Sequence, residues 1–165
     1  MSFSPIPDYK FRKLTDISVE FLNKRQIKLL MLDLDNTIGS YDEDFPQDDV
    51  IIWIDMIKSK GILPYIVSNS RRDNRVKTFA DALEIPYINK ARKPSGKALR
   101  LVMEELDIPP SRSALVGDQV YTDVMAANNA NAASIVVKPM KFTNLFLAVR
   151  YFFELPFRAL KTFEV

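Results

Sequence analysis

Five apolar runs of strand length recur along the chain, at Leu29–Asp33, Ile62–Val67, Ile85–Ile88, Ser113–Val116 and Ser134–Val137, and the segments between them carry apolar residues at helical spacing. That alternation leaves few options. Runs without an apolar–polar alternation are strands buried on both faces, and helical crossovers between them give an α/β fold: a parallel, five-stranded Rossmann-like sheet with helices on both faces. In such a sheet, ligands bind beyond the carboxyl ends of the strands.

The intervening elements read as follows. Residues 1–12, with Pro5, Pro7, Tyr9 and Phe11, form an extended arm on the surface. A short helix follows, capped by Asp16 or Thr15, with Val19, Phe21 and Leu22 on its apolar face. Helices are predicted at 47–60 (Val50, Ile51, Trp53, Ile54, Ile57) and 72–83 (Val76, Phe79, Ala80, Leu83). A third has Pro94 in its first turn and a buried stripe of Ala98, Leu101, Val102 and Leu106. A fourth opens at Thr122–Asp123. Pro64, which cannot donate to a ladder, argues for an edge position or the first residues of its strand.

Polar residues gather where the strands end. Asp33 and Asp35 follow the first, Ser68 and Asn69 the second and Asp118 the fourth, with Lys93 in the loop after the third. Asp33 and Asp35 can reach one ligand together if the strand persists, or diverge around it if the chain turns first. With no Cys and no His in 165 residues, there is no thiolate nucleophile, no Ser-His-Asp triad and no ordinary zinc site. Carboxylates, a lysine and a hydroxyl instead suit phosphate chemistry assisted by Mg²⁺, which takes oxygen ligands and joins a protein to a phosphate. Lys93 would neutralise charge and Ser68 would donate to a phosphoryl oxygen. One carboxylate can attack phosphorus while a second, in a less positive setting, moves the proton.

Four strings, Asp33-Leu-Asp35-Asn-Thr37, Val67-Ser68-Asn69, Arg92-Lys93-Pro94 and Gly117-Asp118-Gln-Val-Tyr-Thr-Asp123, resemble in order and spacing the four motifs of the haloacid dehalogenase superfamily of phosphatases. The resemblance covers about residues 29–138. It implies Asp33 as nucleophile and metal ligand, and Asp35 as general acid/base that also gives the metal its backbone carbonyl. It implies Ser68 and Asn69 holding the phosphoryl group with Lys93, Asp118 as metal ligand, and Asp123 supporting the metal from behind its ligands or directly. A narrower resemblance, carried by Leu14-Thr-Asp16-Ile17, Ile85-Pro86-Tyr-Ile-Asn-Lys90-Ala91-Arg92-Lys93-Pro94 and the Gly117–Asp123 string, is to the YqeG-type phosphatases of subfamily IIIA. These are similar to phosphatidylglycerophosphate phosphatases, so the implied substrate is a lipid headgroup phosphate. The family often has Gly near Asn129-Ala130; Asn tolerates the same left-handed backbone, so the fold is expected to survive.

The loops after Thr37 and after the second strand are too short for a large cap domain, which leaves an open site suited to a bulky or lipid substrate. Arg71 and Arg72 are candidates for extending the anion site, whereas Asp42, Glu43 and Asp44 read as a soluble loop. One phosphatase domain is expected over residues 1–165: an arm and helix at 1–28, the catalytic core at 29–138 and an aromatic, basic segment at 139–165. Residues 138–165 hold seven aromatics, Phe142, Phe146, Tyr151, Phe152, Phe153, Phe157 and Phe163, among five basic side chains. Two readings stand: an interfacial helix facing an anionic membrane surface, or a core or dimer stripe at positions 142, 146, 149 and 153. No apolar run reaches the roughly 18–20 residues of a membrane span and residues 1–28 lack a signal-peptide core. The expectation is a cytoplasmic protein, peripheral at the membrane, with no nucleic-acid partner.

Overall fold

The computed structural model describes residues 4–142 and 145–164, apart from the side chain of Phe146. Six parallel strands form one sheet: β1 (Tyr9–Lys10), β2 (Leu29–Leu32), β3 (Leu63–Val67), β4 (Tyr87–Ile88), β5 (Ser113–Gly117) and β6 (Ala133–Val136), in the order β1-β6-β5-β2-β3-β4. The helices are α1 (Val19–Lys24), α2 (Asp48–Ser59), α3 (Asp73–Leu83), α4 (Lys97–Glu105), α5 (Met125–Asn129) and α6 (Leu145–Ala159).

Alternation along the strands sorts the core into two layers. Leu30 and Leu32 of β2 pack with α2 (Val50, Trp53, Ile54, Ile57) and α3 (Val76, Phe79, Ala80, Leu83). Leu29 and Met31 face the other way, onto α4 (Ala98, Leu99, Val102, Met103) and Ala126 and Ala127 of α5. All four β2 side chains are therefore buried, which is why the strand reads as a continuous apolar run.

Several expectations need correction. The arm is not merely lying on the surface: Tyr9–Lys10 pairs with Ile135–Val136 as a sixth strand, fastened by Asp8, whose carboxylate accepts from the Ser134 N–H and hydroxyl at 2.8 and 3.0 Å. The α1 cap is Ser18, whose Oγ accepts from the Phe21 N–H at 3.1 Å; Asp16 instead closes a 3₁₀ turn at Leu14–Asp16 by accepting from the Lys13 N–H. Pro94 precedes α4 rather than opening it, after a cis Lys93–Pro94 bond. In α4, Leu101 is exposed, and Leu99 and Met103 complete the buried stripe.

Pro64 sits inside a strand paired on both sides, and its nitrogen explains how. Leu63 donates to Lys28 on the β2 side, whereas Ile66 and Ser68 donate to Pro86 and Ile88 on the β4 side. By alternation the Pro64 nitrogen points to the β4 side, ahead of the first β4 bond, so no ladder bond is lost.

Strand order places β2 in the middle, with the chain running outward to β3 and β4 before returning to β5 on its other side. The crevice beyond the carboxyl ends of β2 and β5 is the point where strand order reverses, where open α/β sheets bind ligands.

Candidate active site

The chain turns as soon as β2 ends. Leu34 O accepts from the Ile38 N–H at 3.0 Å and Asn36 adopts φ +62°, so Asp33 and Asp35 diverge. Asp33 stays at the sheet, its N–H donating to Val116 O of β5 at 2.8 Å. Asp118 follows Gly117 at the end of β5, and Asp123 projects from a π-helical turn at Val120–Val124 that continues into α5. All three are buried, and their carboxylate oxygens lie within 4.8 Å of one another.

Gly117 makes this approach possible. A Cβ there would stand 2.3 Å from the Asp123 carboxylate, so any side chain would displace the acid. The Lys93 Nζ donates to Asp33 Oδ1 at 2.6 Å and Val67 O at 2.8 Å, and lies 2.7 Å from Asp123 Oδ1. Its three protons thus have three partners. Asn69 fixes the lysine from outside: its side chain donates to Lys93 O and accepts from the Lys93 N–H, both at 3.0 Å.

Three buried carboxylates against one ammonium leave the cluster two charges too negative. Burial pushes Asp33 up to about 7; Lys93 pulls it back, and Asp123 and Asp35 add to the rise. Asp118 is pushed well above its ordinary value by burial and then by Asp123 and Asp33, with Arg158 opposing. Burial disfavours the charge on Lys93, but Asp123 and Asp33 more than reverse this and hold it above its ordinary range. Asp118 Oδ1 is buried with no hydrogen-bond partner. An all-oxygen donor set, a two-charge excess and an unpartnered buried carboxylate oxygen fit a hard divalent cation.

Asp35 is drawn to the opposite wall, where it pairs with Arg75. Arg75, almost fully buried, also donates to Ser40 O at 2.7 Å and Glu43 O at 2.8 Å, so it fixes both the acid and the loop after it. The expected less positive surroundings for Asp35 are therefore not found, because α3 delivers a guanidinium to it. Ser68 lies under the floor, fully buried, with its Oγ accepting from the Ser70 N–H at 2.9 Å.

Above the cluster opens a cleft of about 530 Å³, bordered by Asp33, Asp35, Asn69, Ser70, Lys93 and Asp123 from the predicted motifs and their neighbours. Tyr41, Gln119, Thr122, Leu147 and Arg150 complete it. Burial and then the Asp35, Asp118 and Asp33 charges push the Tyr41 phenol up to about 12, so it remains a donor near neutral pH. Arg72 does not reach this cleft: it pairs with Asp44 at 2.7 Å and donates to Tyr41 O at 2.9 Å. Asp42 and Glu43 bind Ser40, which holds the loop.

These features meet their counterpart in known proteins. Residues 9–131 match the haloacid dehalogenase-like hydrolase family. The chain belongs to that family. It is 34% identical over 142 residues to the probable phosphatase YqeG of Bacillus subtilis, covering 86% of this chain and 82% of that protein. A deoxy-D-mannose-octulosonate 8-phosphate phosphatase from Haemophilus influenzae, solved in a cobalt-bound form, shares the fold at TM-score 0.54 and 16% identity, over 68% of this chain and 69% of its own. An uncharacterized Listeria monocytogenes protein does so at TM-score 0.56 and 12% identity, over 81% and 99%. The chain described here is accordingly a haloacid dehalogenase-like hydrolase, similar over most of its length to a probable phosphatase.

Sequence reasoning missed the arginines. Arg75 carries no motif, and α6 enters the site through Arg150 and through Arg158, which donates to Asp118 O and to Val137 O at 3.0 Å. A signal for the second was present: Arg150, Glu154 and Arg158 recur every four residues in an otherwise apolar helix.

Proposed function

We propose that this protein is a Mg²⁺-dependent phosphomonoesterase of the YqeG type, in subfamily IIIA, that works through an aspartyl phosphate on Asp33. The observation that carries the reading is the buried cluster of Asp33, Asp118 and Asp123 around Lys93 at the mouth of β2 and β5. Asp33, Asp118 and the Asp35 backbone carbonyl would hold the ion, with Asp123 behind them. When bound, it supplies positive charge to a phosphoryl oxygen and keeps Asp33 ionised.

An Asp33 oxygen attacks phosphorus as the ester bond breaks, and Asp35 gives its proton to the departing alkoxide. Water then attacks the aspartyl phosphate, Asp35 takes a proton from it, and phosphate leaves with Asp33 restored. Lys93 offsets charge at the attacked group, and Asn69 holds that lysine in place. Ser68 supports the phosphoryl group from beneath: its Oγ already accepts from Ser70, which leaves its proton to donate. Arg75 positions Asp35.

The substrate we assign is a lipid phosphate, phosphatidylglycerophosphate, met at the surface of a membrane from the cytoplasmic side. Two features support this: the loop at 38–47, which borders the cleft through Tyr41, has ten residues, too few for a cap domain, and the identity to YqeG extends over most of both chains. No helix among the described residues is long and apolar enough to cross a membrane. Phosphate release from phosphatidylglycerophosphate in mixed micelles, compared with soluble phosphate esters at equal Mg²⁺, tests the assignment. Preference for the micellar lipid is expected; preference for soluble esters overturns the lipid substrate and leaves the phosphatase.

A further inference from the structure

The last helix is built inside out. Its charged residues face the protein: Glu154 and Arg158 are buried, pairing at 2.8 Å, and Arg150 contacts Glu154 at 3.5 Å and Thr122 at 3.4 Å. Leu147 lines the cleft and Phe157 packs on Val120, Val124 and Val136, but much of the helix's apolar surface faces out. Leu145 is 79% exposed, Phe152 67%, Phe153 63% and Val149 45%, and Leu160, just past the helix, 61%. At 100° per residue these positions fall on one stripe, opposite Arg150, Glu154 and Arg158. The expected core stripe is thereby corrected: Phe142, Val149 and Phe153 are exposed, and the Phe146 side chain lies outside the described residues. Inward burial of the Arg158–Glu154 pair turns the aromatic side to the outside.

We infer that this outward face is the surface by which the protein docks on an anionic lipid bilayer. The inference rests on reading the cleft as a site for a lipid phosphate. A stripe of Phe, Leu and Val with no charge on it has the chemistry of an interfacial helix, sunk to the boundary between headgroups and acyl chains. Charge points to the same occupant: Lys138 and Lys161 are exposed in the segments that flank the helix, Lys141 is paired with Asp42 at 2.9 Å, and the carboxylate of the helix, Glu154, is buried away from the stripe. A second copy packed on this face by a two-fold axis would set one lysine margin against another, which anionic lipid instead neutralises.

The same helix borders the cleft. Leu147 and Arg150 line it from the inner side, so docking on the outer side brings the cleft within about one helix diameter, roughly 10–12 Å, of the headgroups. A lipid could offer its terminal phosphate without leaving the bilayer.

Flotation of the full chain with vesicles tests this. The parent is expected to float with equal parts phosphatidylcholine and phosphatidylglycerol, and less well with phosphatidylcholine alone. Phe152→Ser combined with Phe153→Ser, at two exposed positions, should lower the partition at least about tenfold. Hydrolysis of p-nitrophenyl phosphate by that variant should stay within about twofold of the parent, which shows that the fold is intact. Flotation unaffected by the double substitution, or absent in the parent, overturns the inference. So does a parent dimer in sedimentation equilibrium that the substitution dissociates. Binding requires no turnover, so sensitive flotation without phosphatidylglycerophosphate hydrolysis upholds the surface and rejects the substrate.

Discussion

Arg158→Ala should release α6 from the site before it unfolds the sheet. The Arg158 guanidinium donates to Glu154 Oε2 at 2.8 and 3.1 Å, to Val137 O at 3.0 Å and to Asp118 O, and it stacks 4.6 Å from the Tyr151 ring centroid. Without it, Glu154 keeps only the longer contact to Arg150, and two buried carbonyls lose their donor. Removing one partner of a buried pair costs about 3–5 kcal/mol. Among the polar ties from α6 that remain, Lys10 Nζ donates to Arg158 O at 2.9 Å at the far end of the helix, whereas Tyr121 to Phe153 O at 3.2 Å and Arg150 to Thr122 at 3.4 Å are longer. Amide hydrogen exchange across residues 145–159 should therefore accelerate by roughly a hundredfold to several thousandfold, while β2 and β5 remain protected. Arg158→Met with Glu154→Leu, which removes both charges, should recover most of that protection. Unchanged exchange in Arg158→Ala would refute the claim that this pair holds the helix.

Gly117→Ala forces a methyl group into the space of the Asp123 carboxylate. It should cost about 1–3 kcal/mol in urea denaturation and lower Mg²⁺ affinity in calorimetry. Arg75→Met leaves Asp35 without its guanidinium and should lower kcat more than it changes KM in phosphate-release assays, as the proposed role of Asp35 in proton transfer requires. The Asp33 carboxyl, raised to about 7 in the metal-free fold, works against stability as pH rises through that value, so the metal-free Tm should fall between about pH 4 and 7. Mg²⁺ selects the ionised acids, so the Tm increment it gives should grow from pH 6 to 8, with protons released on binding.

The fold was legible because β2, β3, β5 and β6 are buried on both faces and read as apolar runs, and their polar ends mark one edge of the sheet. β1 escaped notice because two residues after a Pro-rich arm carry no periodicity; its pairing depends on the Asp8–Ser134 clasp, a contact between distant parts of the chain. Motif spacing located Asp33, Asp118 and Lys93, which lie on or beside strand ends. It could not foresee that Asp35 turns toward Arg75 or that Asn69 grips the Lys93 backbone, because both depend on how α3 and the loop before α4 approach the sheet. The aromatics of α6 admit two readings in the sequence, outward to a membrane or inward to a core; the buried Arg158–Glu154 pair turns Phe152 and Phe153 outward, and its four-residue spacing is the signal that separates the two.

The central claim is that Asp33 carries the phosphoryl group. Asp35→Asn keeps the nucleophile but removes the group that activates water, so with Mg²⁺ and p-nitrophenyl phosphate, whose leaving group departs without an acid, it should accumulate phosphoenzyme. Acid quenching and peptide mass spectrometry should then find one phosphoryl group on Asp33. A phosphoryl group on any other residue, or p-nitrophenolate released in a single turnover with none on the protein, would contradict the account.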